Sequence, residues 1–251
     1  MAGLPFDAAA FLILFARIGA VLMLLPAFSE DAIPGRVRLL FGLGFTAGLF
    51  GLLGGQVAPA LRSDTALPGI VLSELLVGIA MGMIVRILFN AASMAGAIIS
   101  LQVGLSSALV MDPALGGQAS VLARFIGIAA AVVCLTTGVH HLWIAAMVQS
   151  YALFPVGGLP PAADFARLAV ETTGHAMGLA VSMAAPLIVY GILFNVALGL
   201  AVRMAPQIQA FFIMQPLNIL LGMSLFAVLI GGILTAFANA MANFMQNGWS
   251  L

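Results

Sequence analysis

Residues 93–125 read SMAGAIISLQVGLSSALVMDPALGGQASVLARF and interrupt a chain that is otherwise almost continuously apolar. Pro113 disfavours the helical region for Asp112, and the glycine pair Gly116 and Gly117 adds backbone freedom that a spanning helix does not need. We therefore expect a helix break here. In a membrane, the peptide groups of such a break must be satisfied by protein or by water. By composition alone the stretch favours an ordinary connecting loop, because loops are where helix breakers collect.

The composition is that of an all-α integral membrane protein. Of the 251 residues, 63% are hydrophobic and 6% are charged, and the mean hydropathy is +1.22. A typical soluble domain has about a quarter of its residues charged. Eight basic residues balance eight acidic ones, so nothing indicates a nucleic-acid partner or a polybasic patch for a lipid surface. The single cysteine, Cys134, excludes an intramolecular disulfide and is expected in the apolar core.

Long apolar runs predict several helices, but their lengths do not fit a simple series of spans. Three runs have a length that allows a membrane crossing: 8–28, 39–61 and 176–202. One run, 67–101, is too long for a single simple span. Two runs, 125–139 and 142–154, are short enough to favour buried helices or a re-entrant hairpin.

Charged residues inside these runs need partners. Arg17 lies in the first run, where it predicts either a contact in a channel or subunit interface, or a snorkelling or internally paired side chain. Glu74 and Arg86 are twelve residues apart, roughly 18 Å along a helix, so they cannot pair with each other within it. We therefore expect a separate partner for each.

Glycines recur in two of the runs at the small-xxx-small spacing that lets helices approach closely. We interpret them as packing positions. They are Gly44, Gly48, Gly51 and Gly55 in the run 39–61, and Gly78 and Gly82 in the run 67–101.

Catalytic and metal-binding patterns are not found in the sequence. His140 and His141 are adjacent and therefore lack the i, i+4 geometry of a zinc pair on a helix, and no HExxH or GxSxG occurs. A phosphate-binding loop of the P-loop type would need a lysine, which the chain does not contain. We expect a protein that is not an enzyme and that binds no cofactor or metal.

Three blocks of sequence resemble a known family. They are ARIGAVLMLLPAFSEDAIPGRVRLLFGLGF (residues 16–45), the central stretch extended through GVHHLWIAAMVQSYALFPVG (138–157), and LGLAVRMAPQIQAFFIMQPLNILLGM (198–223). In this order and combination the chain is similar to the FliR family of flagellar biosynthetic proteins, which are subunits of the type III export gate, and to their virulence-associated homologues.

The resemblance implies a subunit of a bacterial export gate for unfolded flagellar proteins. It implies a hetero-oligomer with FliP-like and FliQ-like subunits in the bacterial inner membrane, at the flagellar basal body, contacted by FlhB-like and FlhA-like components. Members look like a fusion of a FliP-like half, here about residues 1–160 with the central loop, and a FliQ-like half, about residues 161–251. Their apolar helices are expected to face one another and membrane lipid.

The resemblance also implies that the central loop is part of a plug in the pore. Glycines would serve as hinges, and leucine, valine and methionine side chains would form an apolar constriction. Asp112 either caps the turn at Pro113 or bonds to a partner loop. The plug residues expected are Gln102, Gly104, Leu105, Leu109, Val110, Met111, Asp112, Pro113, Gly116, Gly117 and Gln118.

Two further features complete the expected sites. A second helix break is predicted at Arg203, Pro206, Gln207 and Pro216. A polar stripe on the last helix is predicted to be a subunit interface, since polar side chains in a membrane bond to other helices. It consists of Thr235, Asn239, Asn243 and Gln246.

Three other functions are alternatives to a flagellar export gate. A virulence-associated (injectisome) homologue would share the blocks described above. A secondary transporter would use the breaks near Pro113 and Pro206 as discontinuous helices around a substrate site, but the inverted repeat that favours this class is not apparent. An intramembrane enzyme would need a catalytic constellation, which the sequence does not offer.

Overall fold

The computed structural model describes residues 4–26, 28, 33–61, 67–105, 121–204 and 210–247. Within these ranges the regular elements are α-helices and no strand is present. In this part of the chain five helices are long and apolar enough to cross a membrane, or six spans result if two shorter helices, Val121–Thr136 and Val139–Leu153, together form one. The prediction of an all-α membrane protein is confirmed. The helices are α1 (Leu4–Leu24), α2 (Gly35–Leu61), α3 (Leu67–Val103), α4 (Val121–Thr136), α5 (Val139–Leu153), α6 (Ala162–Met204) and α7 (Ala210–Gln246).

Three helices, α3, α6 and α7, are much longer than a membrane is thick. The run 67–101 forms one uninterrupted helix, α3, of 37 residues, which corresponds to about 55 Å against about 30 Å of hydrocarbon. The run 176–202 is only the apolar part of α6, which has 43 residues and begins at Ala162. α6 is longer than the apolar run because its first turns carry charged residues. Asp164 at its start and Arg203 at its end interact favourably with the helix dipole.

The second predicted break is corrected at one residue. Pro216 lies inside α7, six residues after the helix begins at Ala210, and therefore does not belong to a break. A proline removes only one backbone hydrogen bond, and the helix continues through it for thirty residues of apolar sequence. Arg203 lies in the last turn of α6, as expected for a helix end, while Pro206 and Gln207 fall outside the described residues.

The chain divides into two compact units, each assembled from separate stretches of sequence. Unit 1 contains Met1–Leu88, Gly138–Thr173 and Met245–Leu251, and unit 2 contains Phe89–Thr137 and Gly174–Phe244. This grouping follows spatial contact and is independent of the two halves implied by the family resemblance, whose boundary near residue 160 stays a prediction.

In unit 1, α1 packs against α3 at closely spaced glycines. A methyl group on Gly78 would come within 2.5 Å of the Arg17 carbonyl oxygen, and one on Gly82 within 2.7 Å of Leu24 Cβ. The predicted packing role of these two glycines is confirmed. The close approach buries Ile13, Leu14 and Ile18 completely.

The glycines of α2 do not pack in the same way. A methyl group on Gly44, Gly48, Gly51 or Gly55 would have no other heavy atom within 4 Å. Within the described part of the chain these glycines therefore face no neighbouring helix, and their predicted packing role is not observed there.

In unit 2, the N-terminal turn of α4 lies directly on α3. A methyl group on Gly96 would come within 2.5 Å of the Ala123 Cα atom, so only glycine permits this distance. Phe89 and Phe237 pack edge to face, with ring centroids 5.4 Å apart. Cys134 is fully buried, as its apolar surroundings in the sequence predict.

Candidate functional site: the anchor of the central loop

The central loop begins where α3 is stopped by a left-handed residue. Gly104 has φ +86°, and its amide donates a 3.2 Å hydrogen bond to the Leu101 carbonyl. A left-handed residue just past the last turn is a common way to end a helix, and glycine adopts it without strain. A methyl group here would also come within 2.5 Å of the Gln215 amide nitrogen. Position 104 therefore requires glycine for its backbone angle and for its lack of a side chain.

The carbonyl groups at this helix end are bonded by side chains of other helices. The last carbonyl groups of a helix have no partner within it. Gln215 Nε2 of α7 donates to the Gly104 carbonyl at 3.0 Å, and Asn218 Nδ2 makes a long 3.5 Å contact with the Gln102 carbonyl. The loop therefore leaves α3 from a point that α7 holds in place.

A tyrosine of α6 completes this cluster. The Tyr190 hydroxyl lies 2.9 Å from Asn218 Oδ1 and 3.0 Å from the Asn218 carbonyl oxygen, and its single proton can be donated to either. This contact orients the Asn218 amide so that its nitrogen points to α3. We call Tyr190, Gln215, Asn218 and the carbonyls of Gln102 and Gly104 the anchor cluster.

Close backbone contacts bring the three helices together at the anchor cluster. A methyl group on Gly191 would collide with the Gln102 side chain, and one on Gly222 would come within 2.9 Å of Val103 and 3.2 Å of the Tyr190 ring. These glycines let α6 and α7 lie directly against the end of α3. The arrangement can hold one end of a loop in position, but it carries no nucleophile paired with a base.

The structure places three of the predicted plug residues, Gln102, Gly104 and Leu105, at or beside the anchor cluster. The others lie outside the described residues, so their roles stay predictions: Leu109, Val110, Met111, Asp112, Pro113, Gly116, Gly117 and Gln118. Sequence reasoning missed Tyr190, Gln215 and Asn218. The signal available was the pair Gln215 and Asn218, which lie three apart and thus on one face of an apolar helix.

A second polar cluster lies in unit 1 around Arg17. The Arg17 side chain is fully buried and forms a two-pronged ion pair with Glu74 of α3, through Nε to Oε2 at 2.6 Å and Nη2 to Oε1 at 2.9 Å. Two-pronged arginine–carboxylate pairs are among the stronger hydrogen-bonded contacts in proteins. Of the alternatives for Arg17, the internally paired side chain is the one observed, and Glu74 has the partner that it needs.

Further contacts tie this ion pair to α5 and to the turn that follows it. Arg17 also donates to the Ser150 carbonyl at 3.2 Å and to the Phe154 carbonyl at 2.9 Å, and its guanidinium carbon lies 4.1 Å from the Tyr151 ring centroid. Glu74 Oε1 accepts a 3.1 Å hydrogen bond from the Gly157 amide. We call this set the Arg17 cluster, and it joins α1, α3 and α5.

An apolar cleft of about 330 Å³ lies beside the Arg17 cluster, with Ser150 and Phe154 in its wall. Met81, Leu153 and Leu168 supply apolar lining, and Gln149, Asp164 and Gln246 supply polar groups. In the described ranges no group of three or more histidine, cysteine or acidic side chains could hold a metal ion. The His140 and His141 rings contact each other, with centroids 4.0 Å apart.

The predicted polar stripe of α7 is exposed along its length. Thr235, Asn239, Asn243 and Gln246 are all exposed. The Thr235 hydroxyl donates to the Gly231 carbonyl of its own helix at 2.9 Å. Solvent exposure in the isolated chain is what an interface with another subunit requires, and the role of the stripe as an interface stays a prediction.

The chain matches one family of known proteins over nearly its whole length. The model of the family described as "Bacterial export proteins, family 1" matches residues 8–244. Among the similar proteins is the flagellar biosynthetic protein FliR of Caulobacter vibrioides, which is 38% identical over 221 residues, or 88% of each chain. The flagellar biosynthetic proteins FliR of Escherichia coli and Bacillus subtilis are 37% and 30% identical, over 85% and 84% of this chain and 81% and 82% of theirs.

Proposed function

Because the chain belongs to the FliR family of bacterial export proteins, we propose that it is a non-enzymatic subunit of the flagellar type III export gate. The observation that carries the proposal is the match to flagellar proteins over most of both chains. Those relatives bear flagellar names, which favours the flagellar gate over a virulence-associated one. Membership of an export family also argues against a secondary transporter.

In this proposal the chain forms a conduit with FliP-like and FliQ-like subunits in the inner membrane, at the flagellar basal body. The exposure of its long helices supports an assembly. In the 18-residue apolar stretches of α2, α6 and α7 that could cross a membrane, only 17%, 11% and 17% of the residues are buried within the chain. Such helices need cover from lipid or from other helices, and the exposed α2 glycines and α7 stripe offer helix-packing and hydrogen-bonding surfaces. FlhB-like and FlhA-like components would contact this assembly.

The proposal gives the central loop the task of closing the conduit. A passage wide enough for an unfolded protein would leak small solutes at rest, so an occluding element has to be present and has to move. A loop held firmly at one end suits that task, because the anchor cluster fixes its origin while the residues beyond Leu105 carry apolar bulk.

The assembly is tested by copurification. A tagged copy of this chain, expressed with the FliP-like and FliQ-like proteins of its own organism, should recover both in one particle of fixed composition, as measured by native mass spectrometry from mild detergent. An unrelated multi-span protein with the same tag serves as the control. Recovery of the tagged chain alone would contradict the proposed assembly.

A further inference from the structure

One face of α3 carries exposed apolar side chains at a regular spacing. Leu72, Leu76, Ile79 and Met83 are all exposed, with Leu72 and Met83 at 57% and 54% of their full surface. Their positions advance by four, three and four residues, and the next step of three reaches Arg86. This 4–3 spacing is the seam of a heptad repeat, in which side chains on one helix insert between those of a partner helix. We call these five residues the α3 seam.

Arg86 ends this seam with a charge that has no counterpart among the residues that the structure describes. Its side chain is exposed and makes no ion pair or hydrogen bond with any other residue that the structure describes. It is the twentieth residue of the 37-residue α3, and no other charged residue lies between Glu74 and the end of that helix at Val103. An ionised side chain within a membrane-length helix is costly unless a group of opposite charge meets it.

The α3 helix of a second copy does not satisfy the seam. Two α3 helices packed in parallel and in register would bring two Arg86 guanidinium groups together, which costs free energy. In an antiparallel pair, the acid available on α3 would be Glu74, which is fully buried and bonded to Arg17. The partner helix is therefore not the α3 of a second copy.

We propose that the α3 seam binds an apolar helix of another subunit, and that an aspartate or glutamate on that helix pairs with Arg86. The heptad spacing favours a helix over lipid, because acyl chains require no spacing of the side chains that they cover. A single ion pair in such a seam also fixes the register of the two helices. This inference rests on the proposed function in that it requires other membrane subunits.

The occupant is identified by crosslinking. A photoreactive benzoylphenylalanine replaces Met83 in the assembled complex, and a second sample carries it at Val77, which is fully buried on another face of α3. From position 83 we expect a crosslink to an apolar peptide of a different subunit, with an acidic residue within about one helical turn. From position 77 we expect no crosslink between chains. A crosslink from position 83 to lipid alone, or to a peptide without an acidic residue, would overturn the proposal.

Charge substitution then tests the ion pair. Arg86→Leu should lower the recovery of the complex by at least about tenfold, since truncating one partner of a buried charge pair is costly, whereas Arg86→Lys should retain most of it. Arg86→Glu should also lower the recovery of the complex, and placing arginine at the acidic position that the crosslink identifies should restore it. Arg167→Leu is the matched control, because Arg167 is an exposed cation paired with Glu171 of its own helix.

The possible results separate this inference from the proposed function. If the unsubstituted chain recovers no other subunit, the proposed assembly is wrong. If it recovers them and Arg86→Leu does so equally well, only the seam pairing is wrong. Loss of bound anionic phospholipid from Arg86→Leu, with the complex intact, would show that Arg86 meets a lipid phosphate and would also overturn the pairing.

Discussion

At the scale of single residues, the sequence shows which charges need partners but not which partners they find. Arg17 and Glu74 lie in separate apolar runs 57 positions apart, and nothing in their spacing connects them. The structure pairs them because Gly78, four residues beyond Glu74, lets α1 come into direct contact with α3. Arg86 had the same need in the sequence, and within the described residues it has no partner. Whether such a charge finds a partner depends on tertiary packing, which the periodicity of the sequence does not predict.

Removing one partner of the buried pair should destabilise the chain. We expect Glu74→Gln to lower the free energy of unfolding by about 3–5 kcal/mol, because the charge of Arg17 would stay buried without its counterion. The loss should be measured by denaturant titration of the purified chain in detergent. Arg167→Gln, which breaks an exposed pair, should cause no measurable change. Equal stability of Glu74→Gln and the parent chain would show that the pair contributes nothing.

Replacing both partners of the pair tests whether its value lies in the charges or in the packing. Well-packed apolar residues can substitute for a buried ion pair at little cost or with a gain. We therefore expect Arg17→Met combined with Glu74→Leu to recover most of the loss caused by Glu74→Gln, in the same titration. A double variant as unstable as Glu74→Gln would show that the backbone hydrogen bonds to Phe154 and Gly157, which only the double variant loses, contribute as much as the charges.

At the scale of elements, apolar run length located the helices, and breakers located most of their ends. The end of α3 at Val103 follows from Gly104, which the sequence already marked. Pro216 was misplaced, because a proline pattern does not distinguish a helix end from a helix interior that tolerates one missing hydrogen bond. The anchor cluster was missed since Tyr190, Gln215 and Asn218 become a set only when α6 and α7 meet the end of α3.

The plug proposal is tested by shortening the central loop. Deleting residues 106–116 should make the cell membrane leak small solutes in cells where the complex still assembles, because the apolar bulk between the loop ends would be gone. Dye entry or release measures the leak, and copurification checks the assembly. The control replaces the same residues with a glycine–serine segment of equal length, which should leak as well because it lacks the apolar bulk. A tight membrane with an intact deletion complex would refute the plug.

The polar stripe of α7 makes a separate prediction about assembly. Replacing Asn239, Asn243 and Gln246 together with leucine should weaken copurification with the FliP-like and FliQ-like subunits, because each interhelical hydrogen bond in a membrane contributes about 0.6–2 kcal/mol. Ser182→Leu on α6 is a control, since its hydroxyl is exposed and bonded to its own helix. Undiminished recovery of the subunits with the triple variant would show that the stripe is not part of the interface.

At the scale of the whole molecule, the family is predicted by the resemblance of sequence blocks and not by composition. Composition and run length predict a helical membrane protein, and the three sequence blocks indicate an export family that the comparisons confirm. The grouping of the chain into two units could not be read from the sequence, because each unit combines stretches far apart along it. The exposed faces of α2, α6 and α7 need cover from lipid or from other helices, which a single chain does not specify.

The measurement that tests the central claim most directly is protein export in a strain without the gene for this chain. The account predicts that hook and filament proteins accumulate inside the cells and are absent from the medium, while the basal membrane ring is still present in electron micrographs. Restoring the gene should restore export. Normal filaments on cells of the deletion strain would contradict the claim that this chain is a subunit of the flagellar export gate.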